Sequence, residues 1–283
     1  MKQIDLSAGT VEYHDTGGDG PVLVFISGLT IDGTVWRHVV ERLVPDFRCI
    51  LPILPLGAHR IPMHEDADLS LRGLGLLIGE FLERLDLADV TLVQNDWGGA
   101  QVFIALGDTS RVAALVLTPC EAFDNYPPGI PGRAIGVAVA IPGGLALTMQ
   151  ALRFRAMRRA PAAWGWMSKR PVPKPVMDGW FRPATTDRRV RRDLRKYTTS
   201  LPPKSTLLDW AEANRSFDRP VLVLWAVEDK VMPRDHGRRL AELYPHAQLR
   251  EVEDSYTLMP EDRPDVVAEA IRSFAASPPV STS

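Results

Sequence analysis

The sequence predicts an α/β protein with a mostly parallel, doubly wound sheet and a helical cap that is inserted between two parts of the core. Short apolar runs rich in β-branched residues alternate with helical periodicity over residues 1–120 and again over 216–276. Such alternation is typical of a parallel sheet with helices on both faces. Between them, residues 121–215 lose the strand pattern and gain proline, glycine and short helical segments, as an insertion over the sheet would.

The first part of the core, residues 1–120, contains five predicted strands. The run at residues 22–26 is continuously apolar, which is the pattern of a strand buried on both faces. The other predicted strands are an edge strand at 10–14 and the runs at 48–51, 90–93 and 112–118. Helical periodicity is found at residues 34–43, 70–85 and 100–106.

The strand pattern returns in the second part of the core, residues 216–276. We predict strands at 220–225 and 248–252 and helices at 234–243 and 264–275. Residues 277–283 are rich in serine and proline, and we expect a disordered tail there.

The composition argues against several functional classes. With 283 residues, a formal net charge of -2 and a sequence pI near 6.3, the chain gives no global argument for a nucleic-acid or membrane partner. Its best membrane-span candidate, residues 135–149, is interrupted by Pro142 and two glycines, and the N-terminus lacks the apolar core of a signal peptide. Cys49 and Cys120 lie in apolar runs, as buried, reduced thiols do. We therefore expect a cytoplasmic protein that acts on a small molecule, with a homodimer as the oligomeric state to consider.

The expected site centres on Asp96. This carboxylate ends a predicted strand and is followed by Trp97, two glycines and a helical pattern. A side chain on such a strand–turn–helix junction lies at the carboxyl edge of the sheet, where the N-terminus of the helix offers unpaired N–H groups. Asp96 is therefore a candidate nucleophile; a polar binding residue and a simple helix N-cap are the alternatives.

Three segments resemble the α/β-hydrolase fold, and within it the haloalkane dehalogenase and epoxide hydrolase branch. The turn Asp-Trp-Gly-Gly at Asp96 is similar to the nucleophile turn of those enzymes. Residues 225–233, Trp-Ala-Val-Glu-Asp-Lys-Val-Met-Pro, are similar to the segment that carries the acid of their catalytic triad, which falls on Asp229. Residues 22–28 followed by Trp36 resemble the strand and oxyanion loop. The resemblance covers nearly the whole chain.

The resemblance implies nucleophilic catalysis without a cofactor or a metal. Asp96 would attack a carbon that bears a halide or an epoxide oxygen, and a histidine held by Asp229 would activate water to cleave the ester. Gly28, Leu29 and the N–H groups of Trp97 would bind the substrate or stabilise the leaving group. The remaining substrate-binding residues implied are Trp36, Glu121 and two cap tyrosines, Tyr126 and Tyr197, of the kind that protonate an epoxide oxygen.

The chain departs from the family at the histidine. When the final Asp-Arg-Pro of residues 253–264 is aligned, Thr257 stands at the histidine position, whereas a gap would place Asp254 or Ser255 there. No histidine follows His246 in the sequence. Because a hydroxyl does not activate water near neutral pH as imidazole does, Thr257 marks an atypical site. Two smaller departures are serine before Gly28, where the family has histidine, and a glutamine two residues before the nucleophile, where glycine is commoner.

Four other side chains offer a base near the same edge of the sheet. His59 and His64 lie in the loop after the strand that contains Cys49, and Glu121 and Asp124 follow the strand at 112–118. The structural alternatives are solvent-facing or loop-capping histidines, and carboxylates that cap the first helix of the insertion.

The predicted cap is strongly basic. Between residues 153 and 196, fourteen arginines and lysines face only Asp178, Asp187 and Asp193. This pattern predicts either a solvated positive surface or a surface that steers an anionic substrate or an acidic partner. The cap aromatics Trp164, Trp166, Trp180 and Phe181 are expected to pack the cap onto the core, with some of them lining an apolar pocket.

The primary functional prediction is an enzyme that acts on a small apolar substrate through Asp96, by carbon–halogen or epoxide opening. One alternative is a lyase, isomerase or cyclase in which Asp96 acts as acid or base, because burial can raise the pKa of a carboxyl group into the useful range. The other alternative is a ligand-binding protein that keeps the pocket without the activity.

Overall fold

The computed structural model describes residues 1–161 and 163–275 and places in them an eight-stranded sheet with the order β1-β2-β4-β3-β5-β6-β7-β8. The strands are β1 (Lys2–Leu6), β2 (Gly9–Asp15), β3 (Val22–Ile26), β4 (Arg48–Pro52), β5 (Val90–Asp96), β6 (Val112–Cys120), β7 (Val221–Ala226) and β8 (Ala247–Val252). Only the pairs β1–β2 and β2–β4 are antiparallel. The predicted mostly parallel α/β sheet is confirmed.

Helices connect the strands and form the insertion. They are α1 (Arg37–Leu43), α2 (Leu71–Arg84), α3 (Ala100–Leu106), α4 (Gly129–Ala140), α5 (Gly144–Ala151), α6 (Arg155–Arg158), α7 (Lys174–Thr186), α8 (Arg188–Thr199), α9 (Lys204–Ala213), α10 (Arg234–Leu243), α11 (Met259–Asp262) and α12 (Pro264–Ala275). Helix α1 packs on α12, and α2 packs on α3. In α2 the apolar stripe faces the core, and the Ser70 hydroxyl accepts the Gly73 N–H at 3.0 Å as the N-cap.

The prediction of an edge strand at residues 10–14 is wrong. Strand β2 pairs with both β1 and β4, so β1 is the strand at that edge. The alternating polar sequence of β1, Lys-Gln-Ile-Asp-Leu, leaves three of its five residues exposed, which hides a strand from a search for apolar runs. The predicted helix at 34–43 begins with a 3₁₀ turn, Gly33–Trp36.

Helices α4–α9 lie between β6 and β7, so the predicted helical insertion is confirmed. The division into domains at residues 121 and 215 stays a prediction, and the predicted disordered tail, 277–283, lies outside the described residues. No helix in the part of the chain that the structure describes is long and apolar enough to cross a membrane.

Candidate active site

Asp96 ends β5, the strand between β3 and β6, at the carboxyl edge of the sheet. Its φ of +57° lies in the left-handed region, which costs free energy for a residue with a side chain and marks a sharp, strained turn. The turn is tight, since a Cβ on Gly98 would lie 2.5 Å from Ile26 Cγ2, and Gly99, the N-cap residue of α3, has a φ of +76°. The predicted strand–turn–helix junction is therefore present, with Asp96 at its apex.

The Asp96 carboxyl group is buried, with 2% of the residue exposed. The Leu29 N–H donates to its Oδ2 at 3.1 Å. Burial raises the pKa of Asp96 to about 7, although the N–H groups of Trp97 and Leu29 favour the charged form; Asp229 adds a smaller repulsive contribution. Near neutral pH the group is therefore divided between carboxylic acid and carboxylate.

Gly28 allows this close approach of the loop to the carboxyl group. A Cβ at this position would lie 2.1 Å from Asp96 Oδ2 and 2.5 Å from Asp96 Cγ. We expect Gly28→Ala to lower the free energy of unfolding by about 1–3 kcal/mol, because the loop or the strained turn must move. Urea denaturation measures the difference.

The matched control for that substitution is Gly179→Ala in α7, where an added Cβ meets no atom within 4 Å. It should leave stability unchanged or raise it slightly, as alanine favours helix more than glycine does. Equal destabilisation by the two substitutions would show that Gly28 is not constrained by Asp96.

A cavity of about 30 Å³ lies in front of Asp96. Its described lining, apart from Asp96 itself, is apolar and aromatic: Leu29, Trp97, Pro128, Pro131, Gly132, Ile135, Ala163, Trp164, Met167 and Val231. Helix α4 closes on the cavity tightly, since a Cβ on Gly132 would lie 2.8 Å from Trp97 Cζ2. The site is thus a small apolar chamber with one carboxyl group in its wall, which suits a small apolar ligand.

Asp229 follows β7 and holds Thr257. Its Oδ1 accepts hydrogen bonds from the Thr257 hydroxyl at 2.9 Å and from the N–H groups of Val231 and Met232 at 2.7 and 2.9 Å. Its Oδ2 is buried without a hydrogen-bond partner among the described residues. Burial is the main reason that the pKa of Asp229 rises to about 7. One carboxylate oxygen is therefore left to accept a donor that the described residues do not supply.

The geometry separates the three positions that the alignment left open. Thr257 is fully buried and contacts Asp229. Asp254 lies on the surface in an ion pair with Arg170 at 2.6 Å, and the Ser255 hydroxyl donates to the Val252 carbonyl at 3.4 Å. Thr257 is the residue of the three that the structure brings to the acid.

Asn95 connects the turn to the Thr257 loop. Its side-chain amide donates to the Thr257 carbonyl at 2.7 Å and to the Thr118 hydroxyl at 2.8 Å. These bonds tie β5, β6 and the loop after β8 together directly beneath the site. Asn95 is not among the residues predicted for the site, although a fully buried amide beside the turn residue requires such partners.

Glu121 lies behind the turn. It accepts the Gly99 N–H at 2.9 Å and the side-chain amide of Gln94 at 2.7 Å, and burial raises its pKa to about 8. It is absent from the described lining of the apolar cavity. It therefore caps the N-terminus of α3 and not, as the predicted structural alternative had it, the first helix of the insertion.

An aromatic cluster forms one side of the site. The Trp97 ring lies 5.3 Å from the Tyr126 ring and 6.3 Å from the Tyr197 ring, centroid to centroid. The Tyr197 hydroxyl donates to the Trp97 carbonyl at 3.3 Å. Both tyrosines are predicted to bind substrate, but only Trp97 of the three is among the described cavity residues.

Trp36 and the two histidines considered as bases lie elsewhere. Trp36 is fully buried in the core, 5.0 Å from the Phe25 ring, and it is absent from the described lining of the cavity. His59 Nε2 lies 3.3 Å from Asp193 Oδ2 of α8, and His64 is on the surface near the Ser7 carbonyl. Neither histidine is in the described lining of the cavity, because the loop that carries them turns toward α8 and the β1–β2 hairpin.

Asp124 lies away from the cavity, whereas Trp164 lines it. Asp124, a predicted alternative base, is in an ion pair with Lys204 at 3.3 Å, which lowers its pKa. Trp164 enters the cavity from the cap, and its indole N–H is buried without a hydrogen-bond partner among the described residues. The expectation that some cap aromatics line an apolar pocket is met by Trp164.

Comparisons with known proteins agree with this architecture. A family model described as alpha/beta hydrolase fold matches residues 21–264. The chain is 26% identical to a cis-3-alkyl-4-alkyloxetan-2-one decarboxylase of Xanthomonas campestris pv. campestris, over 99% of this chain and 97% of that protein. It is also 26% identical to haloalkane dehalogenase 2 of Mycobacterium tuberculosis, over 94% and 92% of the two chains. A crystal structure of a haloalkane dehalogenase DbeA-M1 loop variant from Bradyrhizobium elkanii superimposes with a TM-score of 0.75 at 17% identity, covering 97% of this chain and 95% of that one, a similarity of fold.

Proposed function

The chain belongs to the α/β-hydrolase fold family, and from this premise we propose that it is an enzyme in which the Asp96 carboxylate attacks a carbon atom of a small apolar electrophile. The observation that carries the proposal is the strained, buried Asp96, held by the Leu29 N–H at the wall of an apolar cavity. An Asp96 oxygen would form a bond to the carbon while the bond from that carbon to its leaving group breaks, which gives an alkyl ester.

A halide is the leaving group that the cavity favours. Two indoles, Trp97 and Trp164, line it, and the Trp164 N–H has no acceptor among the described residues. Indole N–H groups in an apolar, water-poor cavity stabilise a departing anion. Epoxide opening needs an acid that reaches the oxygen, whereas Tyr126 and Tyr197 are not among the described cavity residues. On this basis we propose carbon–halogen cleavage in preference to epoxide opening.

The second half of a hydrolytic cycle needs a base, and among the described residues the Asp229 side chain is bound by the Thr257 hydroxyl and by two backbone N–H groups. We propose that Thr257 occupies the place of the family histidine, because its hydroxyl binds Asp229 and leaves the second Asp229 oxygen unpaired among the described residues. A threonine hydroxyl is too weak a base to deprotonate water near neutral pH. An alkyl ester formed on Asp96 from a haloalkane is then expected to accumulate.

Intact-mass measurement after incubation with 1,2-dibromoethane tests both parts of the proposal. We expect one bromoethyl adduct per chain, mapped to the peptide that contains Asp96, and one equivalent of bromide. Continuous release of bromide would support Asp96 as the nucleophile but contradict the role given to Thr257. Neither an adduct nor bromide would overturn the proposed reaction.

A second candidate is a base-free lyase that acts on an oxetan-2-one, the four-membered lactone in the name of the Xanthomonas relative. Asp96 would attack C4, the saturated ring carbon bonded to the ring oxygen, and the C4–O bond would break to give an alkyl ester of Asp96 and a free carboxylate. The bond to the carboxylate carbon would then break, its electrons forming the alkene as carbon dioxide and the Asp96 carboxylate leave. No water or proton is consumed, so this candidate is supported by the contact of Asp229 with the Thr257 hydroxyl, in place of an imidazole, among the described residues.

A cis-3,4-dialkyl oxetan-2-one distinguishes the two reactions. Catalytic release of carbon dioxide and alkene from the lactone, together with a trapped adduct from 1,2-dibromoethane, supports the lyase. A hydroxy acid as the product would show that water attacks, which the lyase mechanism does not allow.

Adduct formation should depend on pH through Asp96. The pKa of Asp96 is raised to about 7, and only the carboxylate is nucleophilic. The rate constant should therefore increase about tenfold per pH unit well below pH 7 and level off above it. Intact-mass measurements on samples quenched at successive times give the rate constant at each pH. Circular dichroism at each pH is the control for folding. A rate that is constant between pH 5 and 8 would contradict the assigned pKa.

A further inference from the structure

The charge of the cap is distributed unevenly along the chain. No acidic residue occurs between Asp124 and Asp178, whereas this stretch contains eight basic residues: Arg133, Arg153, Arg155, Arg158, Arg159, Lys169, Arg170 and Lys174. The overall net charge of -2 conceals this local excess. In the part of the chain that the structure describes, Arg133, Arg155 and Arg159 have no ion-pair partner.

Helix α4 is apolar on both of its sides. Its inner side contributes Pro131, Gly132 and Ile135 to the cavity wall. Its outer side exposes Ile130 and Val137, with exposed fractions of 54% and 64%, and Arg133 lies between them at helical spacing. A surface helix of a globular domain normally presents polar residues on the outside, so the outer side of α4 calls for a partner.

The segments that follow α4 add further exposed apolar side chains. Half of the exposed large hydrophobic side chains in the described part of the chain fall between residues 130 and 157: Ile130, Val137, Ile141, Leu147, Phe154 and Met157. Leu147 of α5 is 73% exposed and Phe154 is 68% exposed. We call these six residues, together with Arg133, Arg153, Arg155 and Arg159, the cap face.

We propose that the cap face docks on the surface of an anionic lipid bilayer. Protruding apolar side chains can enter the boundary between head groups and acyl chains, while the flanking arginines pair with anionic head groups. The bilayer supplies negative charge for the arginines of the cap face and an apolar interior for its exposed hydrophobic side chains. Nothing in such docking requires a spanning helix, and the described residues contain none.

A second copy of the chain fits the cap face less well. In a two-fold symmetric dimer the same patch meets itself, which would place arginines opposite arginines with no carboxylate of the 125–177 stretch to pair with them. Lipid head groups carry the opposite sign, so charge complementarity selects the bilayer over self-association.

Docking would place the cavity wall next to the lipid. Ile135 lines the cavity from the same helix whose outer side exposes Val137. An apolar substrate dissolved in the membrane would then be one helix away from Asp96. This consequence rests on the proposed function, whereas the docking itself does not.

Co-sedimentation of the full chain with vesicles tests the proposal without any substrate. We expect binding to vesicles of phosphatidylglycerol and phosphatidylcholine in equal parts, weak binding to phosphatidylcholine alone, and loss of binding as salt is added. The double variant Val137→Ser/Leu147→Ser should bind at least about tenfold more weakly. In Arg133→Gln/Arg155→Gln each replaced arginine should weaken binding about fivefold.

The matched controls are Leu76→Ser and Arg72→Gln, two exposed positions on α2 of the core. They should leave vesicle binding unchanged, and thermal unfolding should show that all variants fold. Absence of binding to anionic vesicles, or equal weakening by the α2 and cap-face variants, would overturn the proposal. A concentration-dependent dimer that Leu147→Ser abolishes, without vesicle binding, would assign the cap face to a second copy instead.

Discussion

Replacing Asp96 with asparagine is expected to lower the rate of adduct formation from 1,2-dibromoethane by at least about 10⁴-fold. The amide oxygen is a far weaker nucleophile than a carboxylate, and no other carboxyl group is among the described cavity residues. Asparagine tolerates the left-handed conformation that Asp96 adopts, with φ +57°, so the fold should persist. Intact mass as a function of time measures the rate.

The control is Asp124→Asn, a carboxylate just beyond β6 that is paired with Lys204 instead of facing the cavity. Its adduct rate should equal that of the unaltered protein. Undiminished labelling of the Asp96→Asn variant at the same peptide would show that another group is alkylated and that the turn does not carry the nucleophile.

Replacing Thr257 with histidine is expected to convert the trapped ester into a turnover cycle. An imidazole at this position can donate Nδ1–H to the Asp229 oxygen that has no partner among the described residues, and its other nitrogen can activate water. General-base catalysis of this kind contributes about 10²–10⁴-fold. Bromide release should therefore continue beyond one equivalent, and the adduct mass should disappear with time.

Two further variants test whether the turnover gained by Thr257→His depends on the imidazole and on Asp229. Thr257→Ser keeps the hydroxyl donor to Asp229 and should leave the ester trapped, while adding Asp229→Asn to Thr257→His should abolish most of the gain. Since Thr257 is fully buried, thermal unfolding must show that the larger imidazole is accommodated. A folded Thr257→His protein that accumulates the same stable adduct would remove the Thr257 position from the mechanism.

The strand order explains why the centre of the site was predictable. Parallel strands bring their carboxyl ends to one edge, so Asp96 at the end of β5 and Asp229 after β7 were expected at the same edge of the sheet. Their neighbour Thr257 follows β8, which pairs with β7. Apolar periodicity predicted these strands, and the alternation of strands with helices predicted that they run parallel.

The direction of individual side chains was harder to predict. Trp36 and Glu121 stand in segments close to the site, yet one packs against Phe25 and the other caps α3. Trp164 of the cap reaches the cavity, although it belongs to an irregular stretch with no periodicity to orient it. Such orientations result from packing between segments distant in sequence, which a pattern along one segment does not encode.

The Thr257–Asp229 hydrogen bond has a consequence for how the protein would behave in a cell. For any haloalkane that leaves an ester on Asp96, each molecule would react once and then be spent. The protein would act as a stoichiometric scavenger, with a capacity fixed by its copy number and renewed only by synthesis of new chains. Its physiological output for such compounds would scale with expression level and be independent of a turnover number.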